Sequence, residues 1–298
     1  MFYLKHAEGV LCDEASLIRT IELKEKAFDG TLTTEIGCID TLKHIHLTDC
    51  GFTGTLPDEI AALPSLKMID LSSNDLTGSI PVFASKYMTE IMLGDNKFSN
   101  SLSNSLSNHQ SLEWLDVSFN YLTGSIPPDI VTLQQLKVLE MSNNMLQSSL
   151  PEGMENLKSM ENLFIQNNQL TGTLSTKMFT GESSLRQIWI DNNFFSGSLP
   201  QSLSNLVSLN NLSFSGNKIQ GTIPSDICER VMHSGPNSKD SIRRDQTDTQ
   251  CNNLACPIDQ YSSTDNGKGY CMKCPEFTKA PFLGSSDCHT TNQVSTSR

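Results

Sequence analysis

A phrase of 16 residues recurs along this chain at a nearly fixed spacing. "LKMIDLSSNDLTGSIP" at residues 66–81 is followed by "LEWLDVSFNYLTGSIP" at residues 112–127, which keeps an apolar residue at each apolar position. Such regularity predicts a solenoid, in which each unit buries the apolar face that its neighbour leaves open. Nine units, spaced by 22 to 25 residues, begin at Ile18, Leu42, Leu66, Met88, Leu112, Leu136, Met160, Leu185 and Leu209.

The letters of the phrase predict how one unit folds. Apolar and polar residues alternate around Ile69 and Leu71, which favours a short strand that pairs in parallel with the next unit. A buried Asn is expected to bond backbone groups of adjacent turns, while Gly permits a tight bend. The Asn position holds Asn74, Asn96, Asn120, Asn144, Asn168, Asn193 and Asn217. The Gly position holds Gly30, Gly54, Gly78, Gly124, Gly172, Gly197 and Gly221. Asn100 and Ser103 replace Gly and Pro in the fourth unit, so we expect an irregularity there.

The phrase LxxLxLxxNxLxGxIP resembles the plant-type leucine-rich repeat, whose LxGxIP half distinguishes it from other subclasses. The resemblance implies an α/β repeat solenoid, a right-handed superhelix with a parallel β-sheet on its concave side. "GVLCD" at residues 9–13 also resembles the end of that family's N-terminal cap motif. We therefore predict a truncated N-terminal cap at 1–17, nine repeats of about 24 residues at 18–227, a polar loop at 228–250 and a cysteine-rich C-terminal cap and tail at 251–298.

Charge and hydropathy narrow the classes of partner. Lys and Arg number 21 against 33 Asp and Glu, and the resulting formal charge of −12 disfavours nucleic acid and anionic lipid. No apolar run reaches the roughly 18 residues of a membrane-spanning helix. The opening "MFYLKHAEGV" has no apolar stretch of signal-peptide length, so we expect a secretory leader to lie outside this chain. Any membrane attachment is expected to use segments that this chain does not contain.

Six of the nine cysteines follow the last repeat. An even cluster in a Gly/Ser/Asn-rich segment favours a disulfide framework, which persists in oxidising compartments. The run from Cys256 to Cys288 is similar to cysteine-rich modules of extracellular receptors and secreted algal leucine-rich repeat proteins. Of the 15 connectivities that six cysteines allow, we predict the pairs Cys228–Cys251, Cys256–Cys271 and Cys274–Cys288. The alternative is zinc at the CxxC of Cys271 and Cys274, although a second such pair is missing. Cys50 is expected to be a buried free thiol, and a bond between Cys38 and Cys12 is conceivable.

The solvent-facing strand positions are where function is expected, because the fold alone does not specify it. Two columns should cross the predicted concave sheet, two and four residues after each unit begins. The first column is Thr20, His44, Met68, Glu90, Trp114, Val138, Asn162, Gln187 and Asn211. The second column is Glu22, His46, Asp70, Met92, Asp116, Glu140, Phe164, Trp189 and Ser213. Asn211 also begins the sequon "NLS", a predicted glycosylation site.

These columns suggest a ligand-binding face and a smaller titratable cluster. Exposed aromatic residues are typical binding anchors, although they can also serve only to pack the sheet. We predict a ligand site at Asp70, Met92, Trp114, Asp116, Phe119, Glu140, Phe164 and Trp189, with Phe164 and Trp189 as neighbours. Glu22, His44, His46 and Asp70 form a possible pH-sensitive cluster, in which carboxylates would favour charged imidazoles. A metal there is the less favoured interpretation, because no pocket is expected.

The sequence therefore favours non-catalytic recognition outside the cell, with no cofactor. The resemblance implies a receptor-like ectodomain or secreted receptor-like protein that binds a protein, a peptide or a cell-wall glycan on its concave face. The alternative is a secreted inhibitor of a cell-wall hydrolase, similar to polygalacturonase-inhibiting proteins. Ice binding would require a regular array of Thr or Asn, and the columns are too varied to favour it.

Overall fold

Apolar side chains of the recurring phrase form the core of this protein in a computed structural model. The first residue of every unit from Leu42 to Leu209 is at most 2% exposed, as are Ile69 and most of its equivalents. The structure describes residues 17–25, 28–179, 183–219 and 227, and the backbone of residues 10–12, 220, 260–263, 270–273, 278–279 and 289–290. Two compact units are formed, Met1–Asn168 (unit 1) and Gln169–Arg298 (unit 2).

The main sheet of unit 1 contains one strand from each repeat. Its strands are β1 (Val10–Cys12), β2 (Ile18–Lys24), β3 (His44–Thr48), β5 (Met68–Asp70), β7 (Glu90–Met92), β9 (Trp114–Asp116), β11 (Val138–Glu140) and β12 (Asn162–Phe164). From β2 to β12 each strand pairs in parallel with the next, in the register predicted by the repeat. β1 pairs antiparallel with β2 and so covers the edge of that strand.

A second, four-stranded sheet in unit 1 follows the bend of each repeat. It is formed by β4 (Thr53–Thr55), β6 (Asp75–Gly78), β8 (Lys97–Ser101) and β10 (Tyr121–Thr123). Short helical turns complete the repeats. They are the helix α1 (Asp58–Ala61) and the 3₁₀ helices Thr34–Cys38, Leu106–Asn108, Pro128–Thr132 and Met154–Asn156.

Unit 2 has the same local pattern. β13 (Gln187–Trp189) pairs in parallel with β15 (Asn211–Ser213), and β14 (Ser196–Ser198) pairs with β16 (Lys218–Gln220). Its 3₁₀ helices are Thr176–Met178 and Gln201–Asn205. In the cysteine-rich segment, β17 (Gln260–Ser263) pairs antiparallel with β18 (Tyr270–Lys273), and β19 (Thr278–Lys279) with β20 (His289–Thr290). The parallel solenoid predicted from the repeat is confirmed, whereas the predicted disulfide pairs and the loop at 228–250 lie outside the described residues.

The asparagines of the phrase form the predicted buried ladder. Asn120, which is 6% exposed, accepts a hydrogen bond from the Phe98 amide at 2.8 Å. Its Nδ2 donates to the carbonyl oxygens of Leu93 at 3.0 Å and Ser118 at 2.9 Å. The side chain therefore satisfies backbone groups of two adjacent repeats that are removed from water. Asn144 makes the equivalent contacts one repeat later.

The bends show which glycines the fold requires. Gly54, Gly78 and Gly124 have φ angles of +77°, +82° and +77°, in the left-handed region that favours glycine. Asn100, which replaces glycine in the fourth repeat, also has a positive φ, of 67°. Its strand β8 pairs with both β6 and β10, so the second sheet continues through the expected irregularity. Gly30 differs from these glycines because its φ angle is not positive. The bend at Gly30 therefore does not require the left-handed conformation that favours glycine.

We expect Gly78→Ala to lower the free energy of unfolding by about 1–2 kcal/mol, because alanine is strained at this φ. The new Cβ would also lie 3.0 Å from Thr55 Cγ2. Gly30→Ala is the matched control, since the new Cβ would lie 3.7 Å from its nearest non-bonded neighbour, the carbonyl oxygen of Phe28. Urea unfolding followed by circular dichroism measures both variants. Equal stability of the two proteins would contradict the prediction.

One core position carries polar residues in two consecutive repeats. It holds leucine at Leu63 and Leu133, but Ser85 and His109 occupy it in the third and fourth units, where they are 1% and 2% exposed. Ser85 Oγ donates to the Leu66 carbonyl at 2.5 Å, and His109 Nδ1 lies 3.1 Å from the Ser85 carbonyl. Burial lowers the pKa of His109, so its neutral ring donates this bond.

Candidate functional site

The predicted columns lie on one face of the main sheet of unit 1. Paired strands place Glu90, Trp114 and Val138 side by side in the first column. They place Asp70, Met92, Asp116 and Glu140 in sequence in the second. We call this surface the sheet face of unit 1 and define it by the two columns from β2 to β12.

Aromatic residues are exposed in the middle of this face and beside it. Trp114 on β9 is 42% exposed, although a residue so large is usually well buried. Phe119, three residues after β9, is 56% exposed and has a left-handed φ of 50°. Both were predicted as ligand contacts. A rigid strand therefore presents a large apolar surface to solvent at Trp114.

Phe164 and Trp189 were predicted to form the main aromatic pair. Phe164 is half-buried on β12 at the end of unit 1, and Trp189 is half-buried on β13 of unit 2. Their proximity stays a prediction, since each unit is described by itself. Trp114 is more exposed than either, which makes it the more accessible anchor on the sheet face of unit 1.

Three carboxylates of the second column are held by serine side chains. The hydroxyls of Ser72, Ser118 and Ser142 donate to Asp70, Asp116 and Glu140 at 2.6, 2.7 and 2.7 Å. In each case the serine follows the acid by two residues and lies just beyond the end of the strand. The repeat pattern did not single out these serines. The acid-x-Ser spacing, repeated in three units, is the signal that could have identified them.

Gly94 creates the space that Asp116 occupies. In the neighbouring repeats the equivalent position is Ser72 or Ser118, but a Cβ at Gly94 would lie 2.9 Å from Asp116 Oδ2. The missing side chain lets the Asp116 carboxylate extend over the preceding repeat. A glycine outside the LxGxIP bend was the available sequence signal for this arrangement.

Burial changes the proton affinity of two of these acids. Desolvation raises the pKa of Glu140 to about 7, and the neighbouring charge of Asp116 acts in the same direction. Desolvation also raises the pKa of Asp116, assisted by the charge of Asp70. The serine hydrogen bonds oppose both shifts, because they stabilise the ionised forms. Asp116 and Glu140 lie opposite one another on adjacent strands, so the charge of Asp116 disfavours the ionised form of Glu140.

The predicted titratable cluster is divided between two environments. Glu22, His46 and Asp70 line an open pocket of about 680 Å³ together with Asp49 and Asp95. His44 is not among its lining residues, and its Nδ1 lies 3.2 Å from Thr20 Oγ1. Burial, then the charges of His46 and nearby lysines, lower the pKa of His44. The expectation that carboxylates would favour a charged imidazole is therefore wrong for His44.

The described part of the chain contains no group of three His, Cys, Asp or Glu side chains arranged to hold a metal ion. Cys50 is a free thiol and fully buried, as predicted, and its Sγ donates to the Thr48 carbonyl at 3.2 Å. Cys38 is free and exposed. Asn211 lies half-buried on β15. Its glycosylation stays a prediction.

Two family profiles match the chain. One described as leucine rich repeat matches residues 110–170, and another with the same description matches residues 41–63, 65–86, 184–206 and 208–229. Together they cover about half of the chain. Among curated proteins, no sequence matches significantly. Within the described residues, no helix has the length and apolar character needed to cross a membrane.

Solved structures with a similar fold include plant receptor ectodomains. The leucine-rich repeat ectodomain of the membrane receptor kinase GASSHO1/SCHENGEN3 from Arabidopsis thaliana, in complex with CASPARIAN STRIP INTEGRITY FACTOR 2, gives a TM-score of 0.70 at 27% identity over 76% of this chain and 27% of that chain. The plant peptide hormone receptor RGFR1, in complex with RGF2, gives 0.63 at 26% identity over 75% and 39%.

A plant ice-binding protein gives a TM-score of 0.65 at 24% identity, over 74% of this chain and 80% of that protein. At that identity the likeness concerns the fold alone. This chain spans about a quarter to two fifths of the two receptor structures. The repeated phrase, the parallel sheet with its asparagine ladder and the profile matches agree: the chain belongs to the leucine-rich repeat family and is of the plant type.

Proposed function

We propose that this chain is a non-catalytic recognition module that binds a peptide or a protein segment on the sheet face of unit 1. The observation that carries the proposal is Trp114, which is 42% exposed on a paired strand in the middle of that face. A tryptophan held on a sheet buries a large area on binding and loses little side-chain entropy.

The neighbours of Trp114 support a polar as well as an apolar contact. Val138 adjoins it on β11, Glu90 on β7, and Asp116 follows it by two residues on the same side of β9. Binding surfaces commonly combine an aromatic anchor with polar groups at its margin. The array is formed by backbone pairing between repeats, so a ligand would meet a largely preorganised surface.

The receptor structures that resemble this chain support the same type of ligand. GASSHO1/SCHENGEN3 and RGFR1 are each described in complex with a second molecule, and RGFR1 is named as a peptide hormone receptor. By analogy, we place the present chain outside the cell, as part of a receptor-like or secreted protein. A glycan stacked on Trp114 and inhibition of a cell-wall hydrolase are the alternatives that the sequence left open.

The test is capture of extracellular proteins by the immobilised chain and by Trp114→Ala. We expect at least one protein bound by the wild type to be retained roughly 30-fold less by the variant, the loss typical of an interface hot spot. Tyr121→Ala is the matched control, because Tyr121 is 55% exposed on β10 of the second sheet. A Phe164→Ala/Trp189→Ala double variant examines the originally predicted aromatic pair.

Each variant should remain folded under the conditions of the capture experiment, as checked by circular dichroism, which excludes unfolding as the cause of lost binding. Capture that is equal for wild type and Trp114→Ala would overturn the proposed site. Retention of a secreted hydrolase whose activity falls on binding would favour the inhibitor alternative. Retention of polysaccharide but not protein would favour the glycan.

A further inference from the structure

We infer that the sheet face of unit 1 takes a cationic, extended peptide segment, with a Lys or Arg side chain lying against Trp114 and the carboxylates of Asp116 and Glu140. This inference rests on the proposed function and specifies the chemistry of its ligand. It commits to a peptide because the face is a long row of strands rather than a closed pocket.

The face is rich in carboxylates, and none of them forms an ion pair with another described residue. Its two columns contain Glu22, Asp70, Glu90, Asp116 and Glu140, but no Lys or Arg. Among the described residues, the ion pairs within 4.0 Å involve none of Asp70, Asp116 and Glu140. Lys137, the residue before β11, is already paired with Glu113 at 2.6 Å. The described residues therefore provide no ion pair to Asp70, Asp116 or Glu140.

The serine hydrogen bonds orient the carboxylates and leave part of each one available. Asp116 Oδ1 accepts both the amide and the hydroxyl of Ser118, at 2.9 and 2.7 Å. Glu140 Oε1 accepts the hydroxyl of Ser142. Among the described residues, the second oxygen of each acid accepts no such bond. A guanidinium or ammonium group can donate to these two oxygens without breaking the serine contacts.

Trp114 supplies the second element of cation recognition. It lies two residues before Asp116 on the same side of β9, and Glu140 is on the adjacent strand, about 4.8 Å away along the sheet. A cation above an indole ring is attracted by the ring quadrupole, and arginine also stacks on it. An uncharged apolar ligand would instead bury the carboxylates without compensation, and an anionic ligand would be repelled.

The spacing of the acids predicts a pattern in the ligand. Asp70 and Asp116 lie in one column with Met92 between them, which separates their strands by about 10 Å. Three residues of a polyproline II helix span about 9 Å, and because that helix has three residues per turn, its first and fourth side chains lie on the same side. A segment in this conformation that crosses the strands would therefore place basic residues three apart, opposite Asp70 and Asp116.

Protonation should compete with such a ligand. The charged group that acts on Glu140 is Asp116 on β9, whereas the residue paired with Glu140 on β12 is the uncharged Phe164. The raised pKa of Glu140, at about 7, means that protons occupy this carboxylate under mildly acidic conditions. A cation binds the ionised form, so binding should release protons and strengthen as the pH rises.

The probes are two libraries of decapeptides, one with arginine at two fixed positions three apart and one with neutral citrulline at the same positions. At a pH of about 7.5 we expect the immobilised chain to retain the arginine library roughly tenfold more than the citrulline library. Trp114→Ala and Asp116→Asn/Glu140→Gln should each remove that preference. Retention of the arginine library should also fall roughly tenfold at a pH of about 5.5.

The matched control is Asp58→Asn/Glu152→Gln, which removes two exposed carboxylates outside the sheet face and changes the net charge equally. This control variant should retain the arginine library as well as the wild type does. If both double variants lose retention of the arginine library equally, net charge alone explains the effect and the inference is overturned. Trp114-dependent retention of both libraries alike would overturn the cationic ligand and leave the proposed function intact. Retention of neither library would also overturn the cationic ligand. The proposed function would then be tested separately by the capture experiment.

Discussion

Asn120→Ala is expected to lower the free energy of unfolding by roughly 3 kcal/mol. The substitution removes the acceptor of the Phe98 amide and the donor to the Leu93 and Ser118 carbonyls. Phe98 is fully buried, so its amide cannot readily exchange the lost bond for water. An unsatisfied buried backbone group costs about 1–3 kcal/mol, and Asn120→Ala leaves more than one such group without its hydrogen-bond partner.

Urea unfolding followed by circular dichroism measures this loss, and hydrogen exchange locates it. We expect exchange of the Phe98 amide to accelerate more than exchange of amides several repeats away. Asn104→Ala is the control, because Asn104 is exposed and its loss should change stability by no more than about 0.5 kcal/mol. Similar stability of the two variants would show that the asparagine ladder contributes little.

The repeat made the strand positions and the core predictable. The first residue of each unit from Leu42 onward, the inward residues such as Ile69 and the asparagines of the ladder from Asn96 onward are buried as expected. These features are repeated in many units, and each repetition restricts the register of the others. The two columns of the sheet face followed directly, because successive residues of a strand alternate between its two sides.

Details that occur in one or two repeats were not predictable in the same way. The Ser85 and His109 pair replaces leucines, and its stability depends on particular hydrogen bonds rather than on hydrophobic periodicity. Gly30 has the sequence context of the other bend glycines but does not need their φ. Backbone angles at a terminal repeat depend on its packing, which the phrase does not encode.

The site was predicted by position more than by chemistry. Counting from the repeat start identified Trp114, Asp116 and Glu140 as solvent-facing. It did not predict that the side chain of Trp114 is more exposed than that of Phe164. The serine anchors and the space at Gly94 depend on side-chain geometry. Sequence periodicity shows which residues share a face, whereas the orientation of a carboxylate requires the structure.

Glu140→Gln is expected to stabilise the protein by about 2 kcal/mol above neutral pH, after allowance for solvent screening of a half-buried side chain. The pKa of Glu140 rises from 4.5 to about 7 on folding. Below pH 4.5 the acid is neutral in both states, and its contribution to stability is fully present. As the pH rises from 4.5 to about 7, the unfolded chain loses its proton first and stability falls. Glutamine carries no charge and avoids this loss.

Unfolding free energies of wild type and Glu140→Gln should therefore agree near pH 4 and diverge up to a pH of about 8. Glu152→Gln, at an exposed site, should show no such divergence. A Glu140→Gln protein that is no more stable than the wild type at high pH would contradict the desolvation of this carboxylate. If Glu140→Gln is more stable than the wild type and also loses the preference for the arginine library, the Glu140 carboxylate has two opposite effects. It lowers the stability of the free protein and strengthens binding of the peptide. Such opposition is expected of a group retained for recognition rather than for folding.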